Sequence, residues 1–135
     1  MKIAQQISVF LDDCPEDFSK ATQIVAKNKI DFQTVNVAET PDFWELRFVC
    51  DKPQKARTLL NKAGFKTAVH PVVLIKSKNE IGSVATIAKI LAENEIHFDY
   101  LYSTGGEKKN WKYYMLLIET PVPKDALACL KKVLR

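Results

Sequence analysis

The chain has 135 residues, of which 47% are hydrophobic, and 20 Lys and Arg face 16 Asp and Glu, which gives a formal charge of +4. This composition excludes a disordered or low-complexity chain. The length fits one ordinary domain or two small ones. The apolar runs are far shorter than the roughly 20 residues that cross a bilayer, and no signal peptide is visible. We therefore expect a cytoplasmic protein with no membrane partner.

One segment of the chain occurs twice, 66 residues apart: AKNKIDF at positions 26–32 and AENEIHF at positions 92–98. The same offset relates two sets of apolar residues with helical spacing, so each half contains the same amphipathic helix. Towards the end of each half the offset becomes 70, as between Pro53 and Pro123. The sequence therefore predicts two repeats, 1–69 and 70–135, with four extra residues near 104–107 in the second.

The first half predicts the order strand, helix, strand, strand, helix, strand. A strand over 7–11 precedes a helix that starts near Pro15, with Asp12 and Asp13 as candidate caps, and ends near position 28. Strands over 32–37 and 43–50 form a hairpin. Asp51 has capping-box spacing before a second helix, and Gly64 marks the end of that helix before an extended segment at 65–69.

The second half predicts a strand at 72–75, a helix at 82–94, strands at 98–102 and 113–119, and a helix at 123–134. The fold class is therefore α+β, with two ferredoxin-like βαββαβ repeats side by side and helices on one face of an antiparallel sheet. The second repeat lacks its last strand, which leaves the edge of 72–75 open. Because open edges pair readily, we expect this edge to meet another chain or to be covered locally.

Four short motifs stand in the same order as in a known family: ISVFL at 7–11, NKID at 28–31, AETPDF at 38–43 and FDYLYS at 98–103. Together with the duplication they resemble the ACT domain family, in particular its small stand-alone tandem proteins. The resemblance implies a regulatory module without catalytic activity or cofactor, which binds a small molecule, usually an amino acid, where two units lie side by side. It implies a homodimer or a client protein as the partner.

In that family the loop before the first helix carries a polar residue and then Pro-Gly. The first copy here keeps Pro15 but has Glu16 at the Gly position, whereas the second copy keeps Gly82 and lacks the Pro. A helix N-terminus of this kind suits an α-carboxylate. Carried over position by position, the implied ligand-facing residues are Leu11 and Asp13 in the first loop, Ser77, Asn79, Ile81, Gly82 and Ser83 in the second, and Asp31, Gln33 and His97 at the strand entries.

The two loops differ in charge. Glu16 and Asp17 put negative charge where a carboxylate would dock, and Gly82 does not. We therefore predict that the second loop is the working site, completed by Asp31 and Gln33 from the first repeat. The alternative is that the two acids only complement the helix dipole, at about 0.3–1 kcal/mol each.

The remaining candidate groups favour structural roles. The three cysteines have no C-x-x-C spacing, which argues against a zinc site or a disulfide framework, so we expect no bound metal. Cys14 precedes a helix, where a thiolate is stabilised, yet no base accompanies it. His97 either faces the ligand or is a hydrogen-bonded strand residue. The acids at 12–17 lack the spacing of a calcium-binding loop and suit a solvated cap.

Lysines alternate with aromatic residues in the segment KKNWKYY at 108–114, as in proteins that bind single-stranded nucleic acid. Neither hairpin strand matches the RNA-recognition consensus, however. Trp44 and Tyr114 are equivalent positions, which favours aromatics that pack inward. Three functions stay open: an amino-acid sensor; a protein-interaction module with a decayed ligand site, which the loop departures and the open edge support; and, least favoured, a nucleic-acid binder.

Overall fold

The computed structural model describes residues 1–104 and 112–134 of the chain. Its ten elements confirm the predicted α+β class and repeated order. They are β1 (Lys2–Leu11), α1 (Glu16–Lys27), β2 (Phe32–Glu39), β3 (Trp44–Cys50), α2 (Pro53–Lys62), β4 (Lys66–Lys78), α3 (Ser83–Glu93), β5 (Tyr100–Thr104), β6 (Tyr113–Glu119) and α4 (Pro123–Val133).

The chain divides into two compact units. The first unit is Gln5–His70, and the second unit consists of Met1–Ala4 together with Pro71–Arg135. The two long strands, β1 and β4, each contribute one segment to each unit. Each unit can therefore draw its four strands from the six strands that the described residues form.

The first unit has the antiparallel strand order β2-β3-β1-β4. In the register of β1 and β3, Ile7 lies opposite Phe48 and Val9 lies opposite Leu46. These four side chains are buried in one core, against which α1 and α2 place residues such as Leu60. Because neighbouring strand residues point to opposite faces, this alternation puts both helices on one face of the unit's sheet. Burial of each large side chain contributes about 1.5–3 kcal/mol.

The second unit has the strand order β1-β4-β6-β5, and its segment of β1 is Met1–Ala4. This segment supplies the fourth strand that the second half of the sequence lacks, on the side of β4 away from β6. The edge at 72–75 is thus covered locally, which is one of the two predicted outcomes. The hydrophobic core of the second unit includes Val73, Ile87 and Leu116.

Several local predictions were wrong. The predicted strands 65–69 and 72–75 are one strand, β4, of 13 residues. The Asp51 side chain does not cap α2, since Lys52 is the N-cap residue and no side-chain cap hydrogen bond forms; the Asp51 carboxylate instead accepts the N–H of Asp31 at 3.1 Å. Asp12 and Asp13 do not cap α1, whose N-cap residue is Pro15.

Other local predictions are confirmed. Gly64 follows the end of α2 with a φ of +97°, the left-handed conformation that favours glycine. Trp44 and Tyr114 pack against the cores of their respective units. The predicted insertion after position 104 and most of the basic segment, through Trp111, lie outside the described residues. No helix in the described parts of the chain is long and apolar enough to cross a membrane.

Candidate functional site

The first loop, residues 12–15 between β1 and α1, folds around a carboxylate of the chain itself. Oδ2 of Asp17 accepts the backbone N–H of Asp12 at 3.1 Å and that of Asp13 at 3.0 Å. Pro15, the N-cap residue, has no side-chain donor or acceptor. Leu11 is buried at the end of β1, and the Asp13 side chain is exposed. An internal anion therefore occupies two backbone N–H groups of the first loop.

The second loop, residues 79–82 between β4 and α3, is built differently. The equivalent of Asp17 is Ser83, and its Oγ donates a hydrogen bond to the carbonyl oxygen of Lys78 at 2.8 Å. The N–H of Asn79 donates to the carbonyl of Lys112 at 2.7 Å. No side-chain carboxylate caps α3. The loop is thus held by backbone carbonyl groups, and no internal anion stands at the start of its helix.

Gly82 is the N-cap residue of α3, with a φ of +92°. A Cβ atom added there would meet nothing within 4 Å, so the glycine is needed for its backbone conformation and not for lack of space.

A cleft of about 370 Å³ lies beside the second loop within the second unit. Ser77 and Ser83 of the predicted set line it and bring two hydroxyl groups to one wall. Thr86, one helical turn after Ser83, adds a third hydroxyl, while Ile75 and Ile87 form an apolar part. The wall also carries the charged side chains of Lys76, Lys78 and Glu80. The cleft thus combines polar and apolar surface, as small-molecule sites do.

Three predicted residues of the second loop do not line this cleft: Asn79, Ile81 and Gly82. Ile81 is fully exposed at the loop tip. Thr86 and Lys78 line the cleft and were not predicted, although the sequence contains a signal for each. Thr86 follows Ser83 at the three-residue spacing that shares a helix face, and Lys78 adjoins Ser77 on the same strand.

The strand-entry residues are not among those that line that cleft. Asp31 and Gln33 belong to the first unit and are exposed, and the N–H of Asp31 donates to Asp51. His97 is exposed in the second unit, where it lines a separate cleft of about 670 Å³ beside α3. Its backbone carbonyl accepts the hydroxyl of Thr120 at 2.6 Å, so the residue is anchored through its main chain.

The cysteines show no catalytic arrangement. Burial raises the pKa of the Cys50 thiol from its ordinary 9.0; a hydrogen bond with the backbone of Lys52 opposes that effect, and the charge of Asp51 adds to it. Cys129 is buried, and its Sγ donates to the carbonyl of Ala126 at 3.2 Å. Cys14 is partly buried. Over 1–104 and 112–134, no group of three or more His, Cys, Asp or Glu could hold a metal ion.

The repeat order, the four-stranded units and the two strand-to-helix loops can now be compared with known proteins. A sequence model of the family described as the ACT domain pair matches residues 1–113. This chain belongs to the ACT domain family. No protein in the curated set matches the chain.

Solved structures agree with this ACT assignment. Protein BT0572 from Bacteroides thetaiotaomicron is 26% identical, with a TM-score of 0.87, and the match covers 96% of this chain and 88% of that one. The ligand-free regulatory subunit of aspartate kinase from Thermus thermophilus is 15% identical, with a TM-score of 0.67, over 100% of this chain and 99% of that one. The corresponding subunit from Thermus flavus is 15% identical, with a TM-score of 0.64, over 100% and 98%. At these identities the two subunits show that the fold is shared.

Proposed function

We propose that this ACT pair is an amino-acid sensor whose ligand binds at the second loop, beside the start of α3. The observation that carries the proposal is the difference between the loops. The Asp17 carboxylate accepts hydrogen bonds from two backbone N–H groups of the first loop. Ser83 has the equivalent position in the second loop, and its hydroxyl provides no anion at the start of α3. A ligand carboxylate suits the second position, because a helix N-terminus attracts negative charge.

The cleft beside the second loop matches a small polar ligand in size and chemistry. The hydroxyl groups of Ser77, Ser83 and Thr86 already donate to backbone carbonyl groups, so they can accept from an ammonium group, as can the Glu80 carboxylate. The Lys78 ammonium group can bind a carboxylate. The apolar wall at Ile75 and Ile87 can hold part of a side chain. These groups favour an amino acid over a purely apolar molecule.

Asp31 and Gln33 remain predicted contributors to the same site. The resemblance places the start of the second strand of one ACT unit against the loop of another, and an exposed carboxylate such as that of Asp31 suits an α-ammonium group. Asp31→Asn should weaken binding about tenfold, which corresponds to about 1.4 kcal/mol, while Asp42→Asn in the exposed β2–β3 turn should not. Equal affinities for the two variants would remove Asp31 from the site.

A sensor needs a second state or a partner. Ligand binding between ACT units would favour one arrangement of them, and that bias would pass to a client protein or to a second copy of this chain. The regulatory subunits of aspartate kinase among the similar structures support such a role. We therefore propose a regulatory and not a catalytic protein, with a client or a homodimer as its partner and the cytoplasm as its place.

The first test is a thermal-shift screen of the purified chain against the twenty amino acids at millimolar concentration. A ligand that binds only the folded state raises the melting temperature by mass action. We expect one amino acid, or one chemical group of them, to raise it, and Ser83→Asp to abolish the rise. Ala85→Asp adds the same charge on an exposed position two residues further along α3 and serves as the matched control.

A protein-interaction module with a decayed ligand site is the second candidate function. The fully exposed Ile81 at the tip of the second loop favours it, since an exposed large apolar side chain is suited to contact with another protein. No shift with any amino acid would support this candidate. A shift with single-stranded RNA that collapses at higher salt would instead indicate nucleic-acid binding.

A further inference from the structure

The first unit contains a cleft of its own, of about 630 Å³, between α1 and the turn from α2 into β4. Its apolar surface comes from Phe10, Ile24 and Phe65. Its polar part is dominated by three lysines, Lys20, Lys27 and Lys66. The cleft therefore joins an apolar surface to concentrated positive charge.

The three lysines are available to a ligand. All are exposed, and no ion pair engages any of them over residues 1–104 and 112–134. Lys20 and Lys27 lie two turns apart on α1, which is about 10 Å of helix rise. The cleft also contains Asp12 and Asp17, but the Asp17 carboxylate is already bound to the loop N–H groups.

The two lysines of α1 are specific to the first unit. Under the 66-residue offset, Lys20 corresponds to Thr86 and Lys27 to Glu93, so the second unit has neither lysine. The second unit instead carries Lys76 and Lys78 at the positions of Phe10 and Asp12, so the lysines of the two clefts stand at different places.

We propose that this cleft binds a small molecule with a dianionic group on an apolar body, either a phosphate ester or a dicarboxylate. Lysine ammonium groups bind phosphate and carboxylate as point charges. The proposal stands apart from the second-loop site, since it involves other residues in the other unit.

Calorimetric titrations with phenyl phosphate, benzene-1,3-dicarboxylate and inorganic phosphate test the proposal. We expect one of the two aromatic dianions to bind more tightly than inorganic phosphate, because the apolar surface adds to its affinity. The two aromatic probes separate the phosphate from the dicarboxylate alternative. The proposal would be overturned if neither phenyl phosphate nor benzene-1,3-dicarboxylate binds. It would also be overturned if inorganic phosphate binds as tightly as the better of the two aromatic probes.

The double substitution Lys20→Ala with Lys27→Ala should weaken binding of the aromatic dianion about tenfold. The matched control is Lys55→Ala with Lys124→Ala, which removes the same charge from exposed positions outside the cleft. Circular dichroism establishes that each variant is folded. If both double variants bind the aromatic dianion equally weakly, general charge attraction explains the binding, and the proposed site is overturned. Loss of phenyl phosphate binding in Ser83→Asp would place the probe at the second loop and overturn it as well.

Discussion

Asp17 and Ser83 occupy the same position in the two repeats, and their side chains make hydrogen bonds of opposite sense. The Asp17 carboxylate accepts from two backbone N–H groups of its loop, whereas the Ser83 hydroxyl donates to a backbone carbonyl. One loop thus holds a carboxylate of the chain itself, and the other is held by backbone carbonyl groups. This difference distinguishes the two loops of a duplicated sequence.

Replacing Asp17 with Ser should give the first loop the character of the second. The substitution removes the internal anion, so we expect it to lower the free energy of unfolding by about 0.5–2 kcal/mol, the range for loss of a helix-start interaction. It should also raise the number of amino-acid molecules bound per chain from one to two in calorimetry. The control is Glu16→Ser, which removes an exposed acid from the same helix turn. A stoichiometry that stays at one would show that Asp17 does not close the first loop.

Gly82 and Gly64 form a matched pair for testing the second loop. Both have a left-handed φ, and a Cβ atom would meet nothing within 4 Å at either position. Gly82→Ala and Gly64→Ala should therefore each destabilise the protein by about 1–2 kcal/mol, measured by urea unfolding. Only Gly82→Ala should reduce the thermal shift given by the bound amino acid. A similar loss in both variants would mean that backbone strain, and not the loop, controls binding.

The cysteines should differ in reactivity. Cys14 is partly buried, whereas Cys50 and Cys129 are buried. Because burial raises the pKa of the Cys50 thiol, its protonated form persists in the folded protein to a higher pH than in the unfolded chain, and its contribution to stability is lost as the pH rises above about 9. At pH 8 we expect one thiol to react rapidly with a disulfide reagent, and Cys14→Ser to abolish that phase. Two rapidly reacting thiols would contradict the buried position of Cys50 or Cys129.

Deletion of Met1–Ala4 should uncover the edge of β4 in the second unit. This segment belongs to the second unit, and β1 is the strand next to β4. We expect faster amide hydrogen exchange at Val72–Ile75 and a stronger tendency to associate, since exposed edges pair with other chains. Size-exclusion chromatography and exchange mass spectrometry measure the two effects. Unchanged exchange at these residues would show that the N-terminal segment does not protect the edge.

Most of the fold could be predicted because duplication and apolar spacing are local signals. The 66-residue offset alone places the helices containing Val25 and Leu91 at equivalent points of two repeats. The fourth strand of the second unit could not be predicted, because it comes from the other end of the chain. Pairing between Met1–Ala4 and a strand some 70 residues later leaves no local pattern in the sequence.

The candidate site was predicted less completely. Ser77 and Ser83 line the cleft, whereas Asn79 and Ile81 do not. A loop motif fixes positions along the chain and not the direction of each side chain. The capping roles assigned to Asp13 and Asp51 were wrong for a related reason. Each carboxylate was one of several acids near a helix start, and tertiary neighbours decided which one accepted the N–H groups.

The central claim is that the amino acid binds at the second loop. The most direct measurement is an amide NMR titration of the full chain with the amino acid that gives the largest thermal shift. We expect saturable shifts at residues 77–86 and near Asp31, and unchanged resonances at residues 12–17. Shifts confined to residues 12–17, or no saturable shift at residues 77–86, would contradict the account.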